Sequence, residues 1–141
     1  MKISTRGQYS LEALLCLAVS SGHKPQSIRA ISEQSGISDG YLEQLFIPLK
    51  KKGLVIGSRG VQGGYALAKD PSRISAGDVL RAVETSLHPV PCVQGGYCKR
   101  EKICASRRTW KTIDSALENV LNSVKLSDLI IVYRGLSGEV I

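Results

Sequence analysis

Cys92, Cys98 and Cys104 put three of the chain's four cysteines within 13 residues, with five residues between neighbours. Thiolates are soft ligands of the kind that hold iron-sulfur clusters, and spacers of this length let a flexible loop bring its sulfurs around one guest. Gly95 and Gly96 ease that wrapping, and Lys99, Arg100, Lys102, Arg107 and Arg108 stand where they would lower the thiol pKa values and offset an anionic cluster. Structural zinc or a reduced, metal-free loop would use the same three thiols. Three sulfurs do not complete a two-iron site. The open position could be filled by His88, by Glu101 or by a non-protein ligand; a four-iron cluster on three cysteines is the alternative. Cys92 with His88 could imitate a nucleophile and its base, but no Asp or Asn stands beside them in sequence to orient the imidazole, so the pattern does not point to an enzyme. Cys16, among Leu14, Leu15 and Leu17, reads as a buried apolar residue.

A second group of residues has the chemistry of duplex reading. Gln44 can make two hydrogen bonds to adenine, Glu43 can accept from the cytosine amino group, Ser38 can serve either way, and Tyr41 can reach a phosphate. Arg59 and Gly60 lie in a glycine-rich stretch, where absent side chains allow close approach of the backbone and an arginine can enter a narrow minor groove. Charge supports the same partner. The chain carries +7 overall, and residues 1 to 75 hold ten bases against five acids. With one Phe, one Trp and five Tyr, it has few rings for a single-strand stacking platform, so double-stranded DNA fits better. Lys50, Lys51 and Lys52 are weaker evidence, because cations at a helix C-terminus favour the dipole whatever the function.

The elements that must position these residues follow from periodicity and capping. A first helix covers about residues 5 to 21 and is stopped at Ser21-Gly22-His23-Lys24-Pro25, with His23 a loop residue. A second spans 27 to 34, capped by Ser27 and closed by Gly36; a third starts at Ser38 and runs to Lys52, with Leu42 and Leu45 on its core face and a bend expected at Pro48. Two short helices around Ser35-Gly36-Ile37 make a helix-turn-helix. Strands at 54 to 56 and 65 to 68 then form a hairpin, the wing. Ser75-Ala76-Gly77-Asp78 opens a helix as a capping box, and Pro89-Val90-Pro91 leads into the cysteine loop of residues 87 to 104. Trp110, Ile113, Leu117, Val120 and Val124 recur at steps of three and four, an apolar seam on a helix of about 18 residues from Ser106. A short helix at 127 to 133 follows.

These residues together resemble the IscR-type iron-sulfur cluster regulator family of bacterial winged-helix transcription factors. The likeness rests on Met1-Lys2-Ile3-Ser4-Thr5-Arg6-Gly7, Ile37-Ser38-Asp39-Gly40-Tyr41-Leu42-Glu43-Gln44-Leu45, Gly53-Leu54-Val55, Arg59-Gly60-Val61-Gln62-Gly63-Gly64-Tyr65 and the triple cysteine. It implies a homodimer joined through the long helix, binding to partly palindromic operators, and DNA contacts at Ser38, Tyr41, Glu43, Gln44 and Arg59. It also implies cluster ligands at Cys92, Cys98 and Cys104. IscR-type members place a His where this chain has Arg107, and others borrow an acid from the partner's first helix at a position that matches Gln8, so the resemblance adds Gln8 or Glu12 of a partner subunit to the candidates for the fourth ligand. Some family members without a cluster act through a protein partner.

The expected organisation is therefore a mainly α fold with a small β-hairpin. It has a winged helix-turn-helix domain at 1–86, a cysteine-rich cluster loop at 87–105, and a dimerisation helix with C-terminal tail at 106–141. The longest apolar runs are too short to span a bilayer, and the first residues lack a secretory signal, so a cytoplasmic protein is expected.

Overall fold

The apolar spacing near the start of the chain produces α1 (Thr5–Ser20), whose inner face, Ala13, Leu14, Cys16 and Leu17, forms the floor of the core. The computed structural model describes residues 2–20, 24–61, 63–95 and 98–138. Ser21, Gly22 and His23 at the expected end of α1, Gln62 of the wing and Gly96 of the cysteine loop lie outside the described residues. α2 (Ile28–Ser35) begins where the Ser27 hydroxyl accepts from the Ala30 N–H at 3.1 Å, and ends at Gly36, whose φ of 76° is open to glycine without strain. α3 (Asp39–Lys51) is capped by Ser38, buries Leu42, Leu45, Phe46 and Leu49, and runs on for a turn through Pro48.

The hairpin pairs β1 (Val55–Ser58) with β2 (Gly64–Leu67), Val55 opposite Leu67 and Ser58 opposite Gly64. Its strands reach further toward the tip than alternation of apolar residues predicts. A feature missed by the sequence reading is a third extended segment: Gln26 pairs with Tyr65 through reciprocal backbone bonds of 2.8 and 2.7 Å. β2 is thus held on both edges, and the wing is part of the domain.

A 3₁₀ turn (Pro71–Arg73) leads to α4 (Ala76–Val83), and the Ser75/Asp78 capping box expected there is present in full. α5 (Arg107–Ser123) follows the cysteine loop, and α6 (Leu126–Leu136) is longer than the predicted 127 to 133. α6 is not a loose tail. Leu126 is buried in the main core; its N–H donates to the Ile74 carbonyl at 2.8 Å, and the Ala76 N–H donates to the Val124 carbonyl at 2.8 Å. The start of α1 is pinned across the chain by Glu84, whose carboxylate accepts from the Ser4 N–H at 2.9 Å and the Ser4 hydroxyl at 2.7 Å. The result is the mainly helical winged helix-turn-helix with a long helix that the sequence implies. Among the described residues no helix is long and apolar enough to cross a membrane.

Two measurements probe this packing. Gly64 has φ 147°, and a Cβ there would overlap the Gln26 carbonyl, so Gly64→Ala is expected to lower the unfolding free energy by more than about 1 kcal/mol in a urea titration. Unchanged stability would contradict the tight contact. Burial, with a smaller effect from Glu12, pushes the Cys16 thiol from 9.0 up to about 11. Between those values the folded chain holds a proton that the unfolded chain releases, so stability falls as pH rises through that window. Alkylation near neutral pH, followed by mass spectrometry, is expected to label the loop cysteines well before Cys16; equal labelling would show that Cys16 is accessible.

Candidate nucleic-acid interface and cysteine cleft

The outer face of α3 is built by the same periodicity that buries its inner face. Ser38, Gly40, Glu43, Gln44, Ile47 and Lys51 are exposed, while Leu42, Leu45 and Phe46 are turned into the core. Ser38 has a structural task, since its oxygen accepts the Tyr41 N–H at 3.3 Å, which leaves its hydroxyl hydrogen available outward. Tyr41 is half-buried, with its ring edge-on to Tyr9 at 5.7 Å. Ile47, 67% exposed, was overlooked although helical spacing from Glu43 and Gln44 puts it on their face; its side chain is of the type that meets a thymine methyl.

Two aromatic contacts fix this helix. Tyr9 supports its start, and Phe46 stacks on Tyr65 of the wing with centroids 4.4 Å apart and planes 9° from parallel. The wing tip beyond β1 is solvent-exposed at Arg59, Gly60 and Val61. Gly60 has φ 101°, a conformation a side chain would resist. The exposed face of α3 and the strands that carry the Arg59 turn are therefore packed together.

The three loop cysteines also converge. Cys92, Cys98 and Cys104 line one small cleft together with Glu101 and Arg107. Cys92 is exposed, Cys98 and Cys104 are half-buried, and all three are free thiols. A 3₁₀ turn (Pro91–Val93) presents Cys92, and the Glu101 N–H donates to the Cys98 carbonyl at 3.1 Å, folding the segment back between the second and third cysteines. In this conformation no three His, Cys, Asp or Glu side chains among the described residues are grouped closely enough to hold one metal ion, so binding requires the loop to tighten. The donor set itself, three thiols in one cleft beside basic residues, suits a soft-metal guest.

The thiol electrostatics differ in origin from the charge argument made on sequence. Cys104 is held below the usual thiol value first by hydrogen bonding with the Ser106 hydroxyl, at 3.4 Å, and with the Ser106 backbone, the nearby Arg100 charge contributing less. Ser106, two residues after the cysteine, was not singled out. Arg107 is engaged in an ion pair with Glu101 at 2.5 Å.

His88 is placed elsewhere. Its Nδ1 lies 2.6 Å from Asp114 Oδ1 on α5, and the ring lines a separate hollow with Arg81, Glu84, Gln94 and Glu118. The acid partner that sequence adjacency did not reveal therefore exists, 26 residues away, but imidazole and Cys92 face different cavities. Gln8 and Glu12 line a hollow between α1 and the α2–α3 turn, apart from the cysteines of their own chain.

α5 carries the apolar seam yet has no buried residue among its 17. Val120 is 59% and Ile113 38% exposed, and Trp110, Leu117 and Leu121 are half-buried. Its inner side is held to α4 by polar contacts, Arg81 reaching Glu118 at 2.9 Å and Asn122 at 2.6 Å.

Comparison with known proteins agrees with this arrangement. Residues 3–131 match the Rrf2 family, described as an iron-dependent transcriptional regulator. The chain is 38% identical over 130 residues to the HTH-type transcriptional regulator IscR of Escherichia coli (strain K12 / DH10B), covering 92% of this chain and 80% of the relative. Among solved structures it is similar to CymR (YrzC), the global cysteine regulator of B. subtilis, with TM-score 0.78 and 39% identity over 92% of this chain and 96% of CymR. It is likewise similar to T. potens IscR, with TM-score 0.71 and 35% identity over 92% of this chain and 86% of that one. IscR and CymR are regulators and not enzymes. A helix-turn-helix with a wing fixed against it, and sequence likeness along nearly the whole chain, make this protein a member of the Rrf2 family of transcriptional regulators.

Proposed function

We propose that this regulator binds operator DNA as a homodimer and that its operator affinity depends on an iron-sulfur cluster held by Cys92, Cys98 and Cys104. The observation that carries the reading is the convergence of those three thiols with Glu101 and Arg107 on one cleft at the foot of α5. A bound cluster would supply an oxidisable centre sensitive to redox state, cluster supply or nitric oxide. In this reading residues 1–86 bind DNA, 87–105 hold the cluster, and 106–141 join the protomers in the cytoplasm. Ser38, Tyr41, Glu43 and Gln44 meet the major groove, and Arg59 with Gly60 meets the backbone or minor groove. The exposed apolar seam of α5 supports self-association, since a 17-residue amphipathic helix with no buried side chain lacks a cover in one protomer.

The route from cluster to DNA is mechanical. The loop is tied to α5 at both ends, covalently where Cys104 precedes Arg107, and through the His88–Asp114 contact at the other. Contraction of the loop around a guest pulls on α5. Because α5 both rests on α4 and carries the seam, that pull changes the spacing of the two recognition helices in a dimer.

A second reading has a specific support of its own. The likeness to the cysteine regulator CymR favours a cluster-free regulator controlled by a protein partner or by thiol oxidation, using the same DNA-binding face.

Anaerobic purification separates the two. The first reading expects brown protein with iron and acid-labile sulfide, and a Cys92→Ser, Cys98→Ser, Cys104→Ser variant that is colourless and altered in affinity for DNA selected from a random duplex library. Colourless wild-type protein with unaltered DNA binding in the variant would sink it. For the interface, Arg59→Ala is expected to weaken binding and flatten the salt dependence by about one phosphate contact. Unchanged affinity would remove Arg59 from the contact surface.

A further inference from the structure

We propose that Glu101 supplies the fourth protein ligand of the cluster, with Arg107 as the positioning residue for its carboxylate. The assignment rests on the cluster reading above and names the donor that completes it.

The cleft lining decides among the candidates. Among the described residues, Glu101 and Arg107 line it besides the three thiols. A guanidinium stays protonated and has no lone pair to offer a metal, so Arg107 is not a ligand. Glu101 is an oxygen donor three residues after Cys98 and three before Cys104, held at that point by its own N–H on the Cys98 carbonyl at 3.1 Å. His88 lies in the other hollow with Nδ1 committed to Asp114. Among the described residues of one protomer, the cleft lining leaves Glu101.

Arg107 gives the carboxylate its orientation. Its Nη1 lies 2.5 Å from Oε1 of Glu101 and 3.4 Å from the Glu101 carbonyl oxygen, so the guanidinium grips both side chain and backbone of the same residue. A carboxylate gripped by an arginine beside the thiols is the arrangement in which an outer-shell partner fixes a ligand. The exchange balances without a co-reactant: the three thiols each release a proton on ligation, Glu101 enters as the ionised carboxylate, and no electron is transferred. Three thiolates and a carboxylate on an oxidised two-iron core make a dianion. Lys99, Arg100, Lys102 and Arg107 are the nearby cations that offset it.

The test is anaerobic reconstitution of the full chain with ferrous iron and sulfide, comparing wild type with Glu101→Ala and Glu101→Cys. Visible absorption, circular dichroism and Mössbauer spectra are recorded together with the rate of iron loss to a chelator. Glu101→Ala is expected to change the visible dichroism and to lose iron about ten-fold faster. Glu101→Cys is expected to retain the cluster with stronger sulfur-to-iron charge-transfer bands, because a fourth thiolate replaces the carboxylate. Far-ultraviolet dichroism identifies a variant that has failed to fold, and Glu101→Gln, which keeps shape and removes charge, then replaces it. Wild-type spectra and wild-type iron loss in the Ala and Cys variants would overturn the ligand assignment while leaving the cluster reading intact. Wild-type protein that takes up neither iron nor sulfide would overturn both.

Discussion

Tyr65 is the constraint on which the winged helix-turn-helix depends. It lies in the middle of three extended segments, its N–H and carbonyl both bonded to Gln26 on one side and Gly57 of β1 opposite it on the other, while its ring stacks on Phe46 of α3. One residue therefore joins the wing, the entry to α2 and α3. Rotation of α3 about its axis would break the ring contact, and movement of the wing would break backbone bonds whose groups are not replaced by water. The close approach of Gly64 to Gln26 is part of the same joint, because a side chain there would push the two strands apart. The groove reading proposed for α3 requires this rigidity, since a helix that rolls by one position would present different side chains to the bases.

The second half of the chain is arranged in the opposite way. The cysteine loop is short of buried apolar side chains, and its turns are closed by a few local bonds such as Ile103 N–H to Arg100 carbonyl at 3.0 Å. Segments with few buried contacts rearrange at low free-energy cost. The loop is nevertheless tethered at both ends to α5, and α5 is tied to α4 by polar pairs of Arg81 with Glu118 and Asn122. A deformable loop on a polar-held helix is suited to transmit a ligand's effect, whereas the Tyr65 joint is suited to resist it.

α6 reconciles these two demands. By returning to the core at Leu126, and by exchanging backbone bonds with Ile74 and Ala76 through Leu126 and Val124, it anchors the far end of α5 to the rigid unit. A displacement introduced at the Arg107 end of α5 thus acts against a fixed point at the other end, as in a lever.

Local chemistry in the sequence was enough to place the helices that matter. Ser27, Gly36, Ser38 and the Ser75/Asp78 pair act within one turn of backbone, so their types alone determine where α2, α3 and α4 begin or end. The apolar seam of α5 and the even spacing of Cys92, Cys98 and Cys104 are likewise properties of a short window. Only tertiary structure could decide that Gln26 joins the wing, that Asp114 claims His88, that Glu101 and not His88 shares the thiol cleft, and that Cys104 is tuned first by Ser106. The reason is physical: a cap or a helical period is satisfied by neighbours along the chain, whereas a pairing across tens of residues exists only after the core has closed and chosen which surfaces meet.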